Sequence, residues 1–385
     1  MHFATIRTVA GIVGSCLLLF CCSTVNAEDS GWQDKVSING FYTLDLTYSD
    51  DNTPVFANGG VFRPLDSKDF TGKNSLIGLQ ARYNLTDDFS AYLQGATLYD
   101  VENNLDFSFD WAYFSYDAGN DFTVRLGKFQ IPFLQGTELK SVGFSRLWAR
   151  PITPASGAGG FLYHNGMEFL KNVTLGDGNL RFQAAVGNAE HVLDAIDGRT
   201  LGLVSARYST DNFWLRAALL HVDYNIFTND GFLIDGNAQA DMGSIEAEAT
   251  YQNIIVNAGL SDSNADISPN DRLAYLSVGY RMGNFTPYIL GKAIRQHFTP
   301  FEVEVAPPPP PGGMSPPPQL PGQPATPDGD FKYNSLAMGF RLDLDENHAL
   351  KMQLEHIDIN NDSLPNQGTV SKHGNVLSII FEGVF

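Results

Sequence analysis

The residues best suited to chemistry in this 385-residue chain are basic, and their spacing fits a wall more than an active site. Arg82, Arg125, Arg181, Arg207, Arg216, Arg281, Arg341 and Lys351 each stand on the polar phase of an alternating apolar/polar segment. Each also lies close to a short turn rich in Asp, Asn or Gly. A second group, Glu138, Lys140, Arg146 and Arg150, shares one long connection, 134–165, with Gly157, Gly159 and Gly160. Cations lining a narrow water-filled channel focus the field and favour anions. The competing use of the first group is structural. Pairing with turn acids such as Asp87, Asp88, Asp121, Asp211 and Asp345 would hold the rim, at roughly 0–1 kcal/mol per pair in water.

Patterns for covalent chemistry are missing. The chain has no G-x-S-x-G elbow, P-loop, H-E-x-x-H or dinucleotide fingerprint. His164, His221 and His356 have no serine and carboxylate nearby in sequence to suggest a triad. No enzyme activity and no cofactor are expected. All three cysteines, Cys16, Cys21 and Cys22, fall within the first 27 residues, so no thiol remains beyond them for a disulfide, a metal or a nucleophile. Asp262-Ser263-Asn264-Ala265-Asp266 begins like a calcium loop, but Ile267 replaces its glycine and Leu273 its closing glutamate. No metal site is expected. A net charge of −19, from 24 Lys+Arg against 43 Asp+Glu, argues against nucleic acid as a partner.

The elements that must position these charges are strands. Residues 1–27 read as an export signal: Arg7, an apolar run Val9 to Phe20, and small residues at Val25-Asn26-Ala27, with cleavage between Ala27 and Glu28. A lipoprotein signal at Cys21 or Cys22 is the alternative, disfavoured because Phe20 or Cys21 stands where that signal wants a small residue. The remainder, 28–385, is read as one domain. No stretch is long and apolar enough for a membrane-spanning helix. Period-two alternation recurs in runs of about ten residues. Ile77, Leu79, Ala81, Tyr83 and Leu85 oppose Gly78, Gln80, Arg82 and Asn84; Leu336, Met338, Phe340 and Leu342 oppose Ser335, Ala337, Gly339 and Arg341. The phase of 88–99 and of 285–299 is ambiguous.

Connections alternate between two kinds. Short turns such as Gln252-Asn253 and Gly283-Asn284 suit tight hairpins. Long polar stretches lie between them, near 50–73, 101–106, 134–165, 190–199, 225–243, 262–270, 300–330 and 361–373. The stretch 300–330 holds Pro307–Pro311, Pro316–Pro318, Pro321, Pro324 and Pro327, which removes donors and excludes a strand. The pattern predicts an all-β transmembrane barrel, antiparallel and up-and-down, of 16 strands. Closure follows because an open sheet edge cannot sit in lipid. Tyr42, Tyr48, Tyr83, Phe89, Tyr99, Tyr208, Phe213, Tyr280 and Phe385, near strand ends, suit an interfacial girdle.

The chain resembles Gram-negative outer-membrane porins of the sixteen-stranded, trimeric kind. The resemblance rests on the signal, on Asn39-Gly40-Phe41, on Arg125-Leu126-Gly127-Lys128-Phe129 before the long connection, and on the terminal strand 376–385. In that strand Phe381 and the final Phe385 match the signal read by the barrel-assembly machinery, whereas Gly383 departs from the usual bulkier residue. The resemblance implies a passive outer-membrane channel for small hydrophilic solutes and ions, a homotrimer, and contact with outer-membrane lipids and lipopolysaccharide. It also implies that 134–165, the third long loop, folds inward as a constriction lined by Lys140, Arg146 and Arg150, with Glu138 as the local acid. Packing of that loop on the rim or on a neighbouring subunit remains the alternative. A phosphate or oligosaccharide channel and a plugged receptor or adhesion barrel also stay open.

Overall fold

The computed structural model describes residues 35–50, 54–56, 62–64, 70–72, 74–99, 105–139, 141–152, 160–191, 196–227, 233–266, 270–298, 329–361 and 370–385. The expected signal with Ala27 and Glu28, the loop residue Lys140 and nearly all of 300–330 lie outside them.

Sixteen antiparallel strands form one sheet. They are β1 (Val36–Ser49), β2 (Leu76–Asn84), β3 (Phe89–Tyr99), β4 (Leu105–Asp117) and β5 (Phe122–Gln130). Then come β6 (Phe161–Leu175), β7 (Gly178–His191), β8 (Ile196–Ser209), β9 (Phe213–Phe227), β10 (Leu233–Tyr251) and β11 (Ile254–Ala265). The last five are β12 (Asn270–Tyr280), β13 (Phe285–Phe298), β14 (Gly329–Asp343), β15 (His348–Asn361) and β16 (Val370–Val384). A two-residue piece, Phe70–Thr71, pairs with β1 ahead of β2, and a small separate hairpin joins Pro54–Phe56 to Phe62–Pro64.

Each strand pairs with the next in sequence, and β1 pairs with β16 from Phe41 opposite Val384 to Ser49 opposite Val376. The sheet therefore closes into a barrel, as the alternation of connections predicts. Tight turns are made where residues tolerate positive φ: Gly119, Asn120 and Asp121 before β5, and Gln252 before β11.

Alternation divides the two faces. Leu79, Leu126, Phe182, Val204, Leu219, Ile289 and Met338 are exposed on the outer face. An apolar outer wall on this scale suits hydrocarbon better than water. Toward the long connections the outer face turns polar on the same phase: His221 follows Leu219, Arg295 follows Ala293, and Lys332 lies beyond Leu336. Backbone pairing continues through this polar belt. For that reason β10 begins at Leu233 and β9 runs on to Phe227, inside the 225–243 stretch that its polarity marks as a loop.

The inner face is mixed. On the long-connection half of β8 to β16 the inner positions are mostly apolar and buried, including Leu203, Leu220, Val222, Met242, Tyr333 and Ile357, with Asp271 and Ser263 as polar members. Nearer the short turns they are polar and charged.

Candidate functional site

The chain between β5 and β6 leaves the strand register at Ile131-Pro132, where proline removes a ladder donor. It forms one helical turn, Gln135–Glu138, and a 3-10 turn, Gly143–Ser145. Thr137 stitches the first turn: its Oγ1 accepts from the Leu134 amide at 3.0 Å and donates to the Leu134 carbonyl at 2.7 Å.

Wall side chains hold this segment by its backbone. Ser244 donates to the Phe133 carbonyl at 2.6 Å, and the Gln135 amide donates to Glu246 at 2.7 Å. The Ala149 amide donates to the Tyr288 hydroxyl at 3.1 Å and to Gln353 at 3.2 Å. Lys351 donates to the Gly143 carbonyl at 2.8 Å, and Arg341 to the carbonyls of Phe144 and Arg146 at 2.6 and 2.9 Å. Apolar contacts add to these bonds. Ile131, Phe133 and Leu134 share a buried cluster with Leu203, Leu220 and Met242, while Trp148 and Ile152 pack with Tyr275, Tyr288 and Leu290.

Two of the four loop candidates join this attachment. Arg150 is 2 % exposed and donates to Ser378 on β16 at 2.7 Å and to Thr47 on β1 at 2.5 Å. Arg146 is also buried, with its guanidinium 4.0 Å from Glu382, and burial lowers its affinity for the proton. Lys351 and Glu382 are fully buried and 2.6 Å apart. Gly143 is required beside them, because a Cβ there would stand 1.8 Å from the Glu382 carboxylate. Glu138 lies in the helical turn, with its side chain outside the described residues, as is all of Lys140.

The wall arginines take a different place. Arg181 lies opposite Arg207, and Arg207 opposite Arg216, on three successive strands. Such like-charged neighbours repel unless other groups or solvent compensate. Arg216 reaches Glu246 at 2.7 Å, Arg207 lies over the Trp214 ring at 4.6 Å, and Arg181 donates to Asn172 at 2.9 Å. On β2 and β5, Arg82 and Arg125 lie over Tyr92 and Tyr113, whose rings stack 4.9 Å apart. Arg125 is also 3.6 Å from Glu168. Arg82, Arg181 and Arg281 remain exposed.

The acids met here are mostly strand residues, namely Glu168, Glu246, Glu382 and Asp343 beside Arg341 at 2.6 Å. Asp345 instead receives the amides of Asn347 and His348. Sequence reasoning did not single out Glu246, Glu355 or Lys292, although Lys292 and Glu355 form a buried pair at 2.7 Å. Their signal was their phase: Glu246 shares its side of β10 with Glu248, Glu355 shares its side of β15 with Lys351, and Lys292 stands between Leu290 and Ile294.

No protein-family model and no curated protein matches the sequence. Solved structures do. OmpT of Vibrio cholerae in its trimer form aligns with a TM-score of 0.56 at 10% identity, over 91% of this chain and 99% of that one. An anion-selective porin from Comamonas acidovorans gives 0.56 at 14%, over 91% and 99%. OmpF of Salmonella typhi, in complex with daunomycin, gives 0.52 at 10%, over 91% and 97%. The chain has the sixteen-stranded porin fold. Within the porin fold, the segment 131–152 and the arginine rows are the features with the most chemistry.

Proposed function

We propose that the chain is an outer-membrane diffusion channel for small hydrophilic solutes and ions, with an anion bias. The observation that carries this is the row Arg181–Arg207–Arg216 on the polar face of a closed barrel whose other face is apolar. Three adjacent guanidiniums near the short-turn end would raise the local concentration of anions. In this reading the segment 131–152 lies within the barrel and narrows it. Arg146, Arg150 and Lys351 act by holding the segment in place, and Arg82, Arg125, Arg181, Arg207, Arg216, Arg281 and Arg341 bias the passage. The likeness to a trimeric OmpT supports a homotrimer. Export with cleavage between Ala27 and Glu28, and insertion by the barrel-assembly machinery through Phe381 and Phe385, complete the proposal. Outer-membrane lipids and lipopolysaccharide are its surroundings.

A second reading is a plugged receptor barrel. It is favoured by the buried apolar cluster that Ile131, Phe133 and Leu134 form with the strand residues.

Reversal potential across a planar bilayer under a salt gradient separates the two. Steady conductance with anion preference, moved toward cations by Arg207→Glu, supports the channel. Cation preference overturns the arginine argument, and absence of conductance selects the plugged barrel.

A further inference from the structure

Four acids on the inner face have a cation close by. Glu168 has Arg125 at 3.6 Å, Glu246 has Arg216 at 2.7 Å, Glu355 has Lys292 at 2.7 Å and Glu382 has Lys351 at 2.6 Å. Asp271 is different. It shares the inward phase of β12 with Leu273, Tyr275 and Ser277, at the long-connection end, and is 8 % exposed. The side chain of Gln296 donates to its carboxylate, and no cation stands beside it among the described residues. Its Oδ1 is buried without a partner. Ser263, directly opposite on β11, likewise holds a buried Oγ without a partner.

The surroundings of this pair are apolar. One row of paired residues crosses β9 to β14 as Leu220, Met242, Ser263, Asp271, Gln296 and Phe331. Ala265, Leu273 and Ile294, next to that row, belong to the same buried cluster as Leu220 and Met242. A carboxylate in such surroundings is costly unless a cation and hydrogen bonds meet it. Gln296 supplies one bond, and the acceptors Asp271 Oδ1 and Ser263 Oγ are left over.

The chemistry of the vacant acceptors selects among cations. A guanidinium takes both carboxylate oxygens in a fork, and here Gln296 already occupies one. A metal ion needs several ligands, and no group of three His, Cys, Asp or Glu among the described residues could hold one. An alkylammonium has a compact head of N–H donors and an apolar body. We propose that Asp271 and Ser263 form a binding site for a primary organic ammonium. Its head donates to Asp271 Oδ1 and Ser263 Oγ, and its hydrocarbon body lies against Met242, Leu273, Ile294 and Phe331. The proposal deepens the channel reading above, in which the inner face meets solutes, by naming a solute class for it. The site stands at the long-connection end, away from the arginine row near the short turns.

The test uses the full-length protein folded in detergent, with phenethylammonium chloride as the probe and isothermal titration as the readout. Wild type should bind the ammonium and not its neutral counterpart, phenethyl alcohol. Asp271→Asn should weaken binding about tenfold or more, as expected for loss of a charge-assisted hydrogen bond, and Ser263→Ala about threefold. Asp262→Asn, an outward acid already paired with Arg272, should leave binding unchanged. Absence of binding to wild type, equal binding by Asp271→Asn, equal binding of the alcohol, or displacement by calcium chloride at the same concentration would overturn the assignment. Should Asp271→Asn fail to fold, Ser263→Ala and the alcohol comparison still decide. Bilayer conductance of the same samples separates the two claims, because its absence sinks the channel while ammonium binding is judged in solution.

Discussion

The ring of Tyr42 covers Gly383 across the seam between β1 and β16. The two residues are directly paired, and a Cβ on Gly383 would stand 2.7 Å from the ring carbons of Tyr42. This explains why the terminal strand departs from the usual bulky residue at that position: the bulk is supplied by the opposite strand. Phe385 and Gly40 repeat the arrangement one step along, with mutual backbone hydrogen bonds of 2.7 and 2.9 Å.

Gly383→Leu should therefore overpack the seam. The expected destabilisation is about 1–3 kcal/mol, as for other insertions into filled space. The urea midpoint of the folded barrel in detergent reads it, and Tyr42→Ala combined with Gly383→Leu should recover part of the loss.

Lys351→Met leaves the Glu382 carboxylate buried with Arg146 as a distant partner at 4.0 Å. Removing one member of a buried pair costs about 3–5 kcal/mol, and the lower end applies here because Arg146 remains. The double variant Lys351→Met with Glu382→Gln should be closer to wild type than either single variant in the same unfolding assay.

Arg150→Ala removes the bonds to Ser378 and Thr47 that fasten the end of the segment 131–152 to both sides of the seam. Single-channel recording should show a larger or more variable conductance than wild type. An unchanged open level would place the segment away from the conducting path.

The turn from Asp345 to His348 should respond to acid. Hydrogen bonds from the Asn347 amide, and then from the His348 side chain, hold the Asp345 carboxyl below the ordinary carboxylate range. A depressed folded pKa contributes stability above the unfolded value, and that contribution is lost as pH falls through the folded one. Protection of the Asn347 and His348 amides, relative to their intrinsic exchange rates, should fall below about pH 4, near the ordinary aspartate value. Asp345→Asn should flatten that dependence.

Much of the fold was legible because lipid-facing strands must alternate and must close. The two segments of ambiguous phase have physical reasons. In β3 both phases mix apolar and polar residues, with Leu93 and Thr97 outward and Gln94 and Ala96 inward, while the register shift opposite Gln94 and Gly95 places the extra residue, Asp110, on β4. In β13 both phases are apolar, because Ile289 faces outward while Tyr288 and Leu290 pack inward on Trp148 and Ile152. The attachment of the segment 131–152 was not legible. Its partners Ser244, Gln353 and Ser378 are single polar residues on remote strands, and nothing local in sequence pairs them with Phe133, Ala149 or Arg150.

The seam also dictates an order of assembly. Thr43 and Glu382 touch across a separation of 339 positions, so hydrogen bonding of the first strand is completed only once the sixteenth has been made. Until then two strand edges hang open, each a template for pairing with another chain. Contacts this remote in sequence form slowly. A nascent chain of this design must be kept apart from its siblings through the whole interval before closure, and removal of β16 alone would make that vulnerable state permanent.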